Sequence, residues 1–129
     1  MNNEFRKITK FTDLIVWQEG HKLVLMIYKI TSAFPEWERF CLANQLIRAA
    51  VSFTSNIAEG FAKRSSKEKI KFYNTAQTSL IEVQNQILIA RDVKHIKQEE
   101  FIKIADQTVI CHKLIIGLIR STKLNKYKE

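Results

Sequence analysis

Apolar side chains recur at steps of three and four residues along nearly the whole chain, and one proline and three glycines are its only strong interruptions. On a helix such steps line one face, so the pattern confines the chain to packed helices and leaves little room for hairpins. The interruptions cut it into four segments. Four long helices joined by short connections predict an all-α fold, an antiparallel up-down-up-down four-helix bundle. With 129 residues, 46% of them hydrophobic, one domain can bury its own core without metal or disulfide.

The first helix is expected from about Asp13 to Ala33, with Thr12 as N-cap and Phe34-Pro35 as its stop, because a residue before proline is pushed out of the helical region. Pro35 suits the first turn of a second helix reaching about Glu59, with Gly60 either its C′ residue or passed over inside a longer helix. Ser65 and Glu68 have the form of a capping box, so the third helix starts at Ser66 and runs to about Lys94. Its core face reads Ile70, Tyr73, Ala76, Leu80, Val83, Ile87 and Ala90. Glu99 and Glu100 suit the positive end of the dipole of a fourth helix that reaches about Thr122. The bundle then spans residues 11–123, and the polar, basic stretches 1–10 and 124–129 are expected as flexible arms.

A polar stripe crosses the second helix. Gln45, Arg48, Ser52, Asn56 and Glu59 share one face beside an arc of Leu46, Ile47, Ala50, Val51, Thr54, Ile57 and Ala58. In an antiparallel pair turning near residue 63, Gln45 and Arg48 lie level with residues 78–82 of the third helix, so Ser79 and Glu82 face them. An Arg48–Glu82 pair is expected as an interhelical register lock, which if buried costs roughly 3–5 kcal/mol to break on one side. Glu59, at the turn, is expected to accept backbone N–H groups from the first turn of the third helix.

Other chemistry is thin. Cys41 and Cys111 sit in apolar helical surroundings and are expected as buried core thiols of a reducing compartment, the cytoplasm. Met1-Asn2-Asn3-Glu4 does not open a signal peptide, and no uncharged apolar run approaches the roughly 20 residues of a membrane helix, so no membrane association is expected. His21 and His112 lack a carboxylate at ligand spacing, and neither a metal nor another cofactor is expected. Arg91 and His95 resemble the arginine–histidine pair of helical HEPN ribonucleases, but their spacing is shorter than that family's. They read instead as a cation pair at a helix C-terminus. No nucleophile–base pair, carboxylate dyad or phosphate loop can be assembled, so an enzyme is not expected.

Charge is the stronger functional signal. In the expected topology the N-terminal arm, the second connection and the C-terminal arm share one end, gathering Arg6, Lys7, Lys10, Lys63, Arg64, Lys67, Lys69, Lys71, Arg120, Lys123, Lys126 and Lys128. Against these twelve cations stand Glu4, Asp13, Glu59, Glu68 and Glu129, which leaves that end about +7 of the total +8. The opposite end is near balance. A polarised charge of this kind suits phosphate backbones, RNA or DNA, without base readout, since no helix-turn-helix, zinc finger, RRM signature or KH loop is present. Phe61, Phe72, Tyr73 and Tyr127 lie near that end, where aromatic rings stack on unpaired bases, but at helical spacing the first three read as core. Self-association is a further expectation: residues 23–28 and 114–119 are apolar all round, more than one bundle core covers.

Several blocks carry a family likeness. Phe11-Thr12-Asp13-Leu14-Ile15-Val16-Trp17-Gln18, Phe34-Pro35-Glu36-Trp37-Glu38, Gln45-Leu46-Ile47-Arg48-Ala49-Ala50, Ser55-Asn56-Ile57-Ala58-Glu59-Gly60 and Ser79-Leu80-Ile81-Glu82 occur in order over about residues 10 to 120. Together they resemble the four-helix bundle proteins encoded in intervening sequences of bacterial 23S rRNA genes, relatives of the accessory variability determinant of diversity-generating retroelements. The resemblance implies a homopentamer with a basic surface that, in the retroelement relative, serves nucleic acid and a reverse transcriptase partner. One departure is Gly20, where the family tends to carry alanine; mid-helix it costs about 1 kcal/mol of propensity. The leading expectation is a non-enzymatic, nucleic-acid-associated oligomer, an accessory factor to RNA or a ribonucleoprotein. The competing expectation is a structural or protein-interaction scaffold without a nucleic-acid role.

Overall fold

The computed structural model describes residues 7–126, so the basic positions Arg6 and Lys128, with Tyr127, lie outside the described residues. Four α-helices form: α1 (Ile15–Thr31), α2 (Leu42–Ala62), α3 (Ser66–Asp92) and α4 (Gln98–Lys126), with no strand among the described residues. Single 3-10 turns at Phe11–Asp13 and Glu36–Glu38 precede α1 and α2. The helices close a ring in which α1 touches α2 and α4, and α3 touches α2 and α4. Leu23, Ile27, Leu46, Phe53, Ile57, Tyr73, Leu80, Val83, Ile87, Ile104 and Ile115 fill its centre. The expected core face of α3 is buried from Tyr73 to Ala90, and Ile70 is half-buried.

Helix ends differ from the expectation for local reasons. Thr12 is not the N-cap of α1. Asp13 Oδ2 accepts from the Thr9 and Lys10 N–H groups at 3.1 and 3.2 Å, which closes the preceding 3-10 turn, and α1 starts only at Ile15. Pro35 leads a second 3-10 turn, not α2, because Glu38 folds inward and its Oε1 accepts from Leu42 N at 3.3 Å, so α2 begins at Leu42. Gly60 lies inside α2, which ends at Ala62. Ser65 does cap α3: its Oγ accepts from Glu68 N at 3.2 Å. That helix stops at Asp92, because Lys94 takes the left-handed conformation (φ 66°) and His95 N bonds back to Ala90 O. Glu100 Oε1 accepts from Lys97 N at 3.0 Å at the start of α4, which continues to Lys126, past the expected end at Thr122.

Two glycines let aromatic rings of neighbouring helices lie against a helix backbone. A Cβ on Gly20 of α1 would stand 2.7 Å from Phe53 Cε2 of α2, and one on Gly60 of α2 would stand 2.6 Å from Tyr73 Cε1 of α3. The absent methyl at Gly20 lets a phenyl ring lie against the α1 backbone, which offsets the propensity cost of glycine there. Cys111 is buried as expected, whereas Cys41 is exposed, because it sits at the N-cap of α2 on the bend before the helix and not on its inner face.

Candidate functional site

Two regions hold the residues singled out in the sequence, and the first is the end where α2 turns into α3. Arg64, Lys67 and Lys71 are exposed, and Lys63 is half-buried with its ammonium 5.0 Å from the centre of the Phe72 ring. Lys69 is engaged within the fold: its Nζ donates to Phe61 O at 2.7 Å, tying the last turn of α2 to the first turn of α3. Phe61 and Phe72 are half-buried beneath these cations and Tyr73 is buried, so the aromatics serve mainly as packing. Glu59 is exposed, and the capping role expected of it is filled by Ser65.

The other expected basic positions lie on the segments before α1 and at the end of α4. Lys7 and Lys10 are exposed before α1, and Arg120 and Lys123 are exposed near the end of α4, while the side chain of Lys126 is outside the described residues. Ile8, Leu14 and Ile15 share a groove of about 570 Å³ with Leu114, Gly117, Leu118 and Ser121, which sets the start of α1 beside the end of α4.

The second region is the polar stripe, and here the expectation needs correction. Gln45, Arg48, Ser52, Ser79 and Glu82 do share one groove, of about 420 Å³ between α2 and α3, together with Asn44, Ala49 and Gln86. Arg48 and Glu82, however, are both exposed and form no ion pair with each other. The register contact is made one turn away by small hydroxyls: Ser52 and Ser79 Oγ atoms stand 2.8 Å apart, and Asn56 Nδ2 donates to Ser52 Oγ at 3.1 Å and to Ser52 O at 2.8 Å. Short side chains fit the narrow gap between the helices, while the long arms of Arg48 and Glu82 reach out to solvent. Asn44 and Gln86 continue the two rows at i−4 from Arg48 and i+4 from Glu82, a spacing legible in the sequence.

A third cluster was missed. His95 Nε2 and Glu38 Oε2 are 2.8 Å apart, with both side chains about nine-tenths buried, and the imidazole lies against the rings of Phe34 and Trp37. The partners come from different connections, so no local pattern linked them; a glutamate three positions beyond Pro35 and ahead of an apolar run was the only signal. Arg91, expected beside His95 as a cation pair, instead bonds Asp92 and lies over Phe101. His21 stacks on Trp17, and among the described residues no three His, Cys, Asp or Glu side chains gather as metal ligands. Among those residues, too, no helix is long and apolar enough to cross a membrane.

Comparison with known proteins gives two positive results. A crystal structure of a protein of unknown function from the S23 ribosomal protein family of Bacteroides thetaiotaomicron VPI-5482 superposes with a TM-score of 0.76 at 21% identity, covering 81% of this chain and 98% of that one. That likeness establishes a shared fold. No curated protein matches the chain. The model of the family described as 23S rRNA-intervening sequence protein matches residues 12–117, most of the chain, and the protein belongs to that family.

Proposed function

We propose that the protein is a non-enzymatic, nucleic-acid-associated oligomer that holds RNA or DNA through phosphate contacts at its basic end. The observation that carries this reading is the cluster of exposed Arg64, Lys67 and Lys71 with half-buried Lys63 around the α2–α3 turn. An antiparallel up-down-up-down course brings Lys7, Lys10, Arg120 and Lys123 to the same end. Supporting that course, Gly20 meets Phe53 while Tyr28 shares a groove with Ile47, Ser52 meets Ser79 while Gly60 meets Tyr73, and Gln84 meets Thr108 while Arg91 meets Phe101. In each of these three helix pairs the contacts advance along one helix as they retreat along the other. The name of the family, which refers to insertions in 23S rRNA genes, agrees with an RNA setting.

Assembly is part of the proposal. Of the all-round apolar runs, Leu25 and Tyr28 on α1 and Ile116 on α4 stay exposed, and Ile102 and Val109 extend the α4 row at heptad spacing. A homopentamer covers these faces and multiplies the basic end. Two free thiols favour a reducing compartment such as the cytoplasm. A second reading, a protein-interaction scaffold, is favoured by Trp37 and Phe40, 70% and 81% exposed beside the Glu36–Glu38 turn, which would suit a protein partner such as a reverse transcriptase.

Binding of labelled RNA and DNA across a salt series tests the first reading. Log affinity should fall with log salt at roughly −0.9 per phosphate contact on duplex and −0.7 on single strands. Replacing Lys63, Arg64 and Lys67 together by Ala should flatten the slope, while replacing Lys94 and Lys97 should scarcely alter it. Equal effects would sink the polarised-end model, and no binding at low salt would favour the scaffold. Light scattering should give about five times the 15.1 kDa chain mass.

A further inference from the structure

The groove between α2 and α3 has features that a structural lock does not explain. Arg48 and Glu82 bring opposite charges to its walls without neutralising each other. Asn44 and Gln45 add exposed amides, each carrying donor and acceptor. Gln86, more than nine-tenths buried, lines the same groove, and its Oε1 is a buried acceptor with no hydrogen-bond partner among the described residues. A buried acceptor left unpaired is costly, and native structures rarely carry one without a reason. The volume of about 420 Å³ falls within the range of small-molecule sites.

We infer that this groove binds a small zwitterion of the α-amino-acid type, with its carboxylate on Arg48 and its ammonium on Glu82, where a turn of the Gln86 amide brings the buried Oε1 within reach. The chemistry selects that class. An ammonium has three donors and no acceptor, which matches a carboxylate beside a carbonyl oxygen, whereas a guanidinium pairs with a carboxylate through two parallel hydrogen bonds. An anion alone would meet Glu82, and a cation alone would meet Arg48, so a ligand carrying both signs is preferred to a phosphate. Ser52 and Ser79 close the far end of the groove with hydroxyls already bonded to each other. The inference does not rest on nucleic-acid binding, since the groove lies along the first half of α2 and the second half of α3, away from Lys63, Arg64 and Lys67 at the turn.

Calorimetric titration and thermal melting of the full chain with each common L-amino acid, and with its N-acetyl and C-amide derivatives, test the site. At least one free amino acid should bind and raise the melting temperature, and blocking either its amine or its carboxyl should abolish the effect. Arg48→Gln and Glu82→Gln should each weaken binding about tenfold or more, because each removes one charged partner. Gln86→Met should lose binding while melting no lower than the parent, since the unpaired acceptor goes with it. The Lys63, Arg64 and Lys67 triple variant should bind the amino acid undiminished, which separates this site from the basic end. No response to any amino acid, equal binding of the blocked forms, or variants that alter only assembly mass or nucleic-acid affinity would each overturn the assignment.

Discussion

Glu38 and His95 stand 57 positions apart in the chain and 2.8 Å apart in the fold, and their bond fastens the connection before α2 to the connection before α4. The carboxylate works at both oxygens. Oε2 meets the imidazole and Oε1 accepts from the first N–H of α2, so one buried side chain starts a helix and locks two loops.

Removing either partner should therefore be costly. Glu38→Ala and His95→Ala are each expected to destabilise by about 1–3 kcal/mol, because the group left behind is buried. The double variant should lose less than the sum. Denaturant unfolding of all four proteins at one protein concentration measures the coupling, and strict additivity would show that the bond carries no stability.

Arg48 and Glu82 should behave in the opposite way. Both are exposed and unpaired with each other, so single Ala substitutions are expected to change stability by no more than about 0.5 kcal/mol and to add. A coupling well above that in the same unfolding experiment would mean that the two charges meet in solution.

The glycines offer a contrast within one chemistry. Gly117→Ala, on an exposed turn of α4 with open space at the Cβ position, should stabilise by about 0.5–1 kcal/mol through helix propensity. Gly20→Ala gains the same propensity but drives a methyl to 2.7 Å from Phe53, and overpacking of about 1–3 kcal/mol should make it a net loss. Melting temperatures that move the same way in both variants would contradict the close approach of α1 and α2.

The two thiols should separate by reactivity and by pH. Burial pushes the Cys111 thiol up to about 12, with the charge of Glu19 adding to it, and burial pushes the Tyr73 hydroxyl to about 12 as well. Both folded values lie above the ordinary 9.0 and 10.0, so the stability they carry is intact below about pH 9 and is lost as pH rises towards 12. A thiol reagent at neutral pH should modify one cysteine of the folded chain, exposed Cys41, and reach Cys111 only on unfolding. Two thiols reacting at equal rates would place Cys111 outside the core.

The four helices and the inner face of α3 were legible in the sequence, because apolar spacing and a Ser65 cap act over a few residues and survive in any packing. The family could be read in the same way, from blocks of residues in order. Tertiary structure alone decided the rest. Gly60 keeps the helical conformation and packs against the ring of Tyr73 inside a helix that runs to Ala62, and α2 began at Leu42 because Glu38 turned inward to a histidine on a distant connection. The polar stripe is legible as one helix face, whereas its contacts are not. Helical spacing tells which residues share a face; the distance between two faces tells which pairs can touch. Here the gap between α2 and α3 is narrow enough for Ser52 to reach Ser79, while Arg48 and Glu82 remain apart on the walls of an open groove.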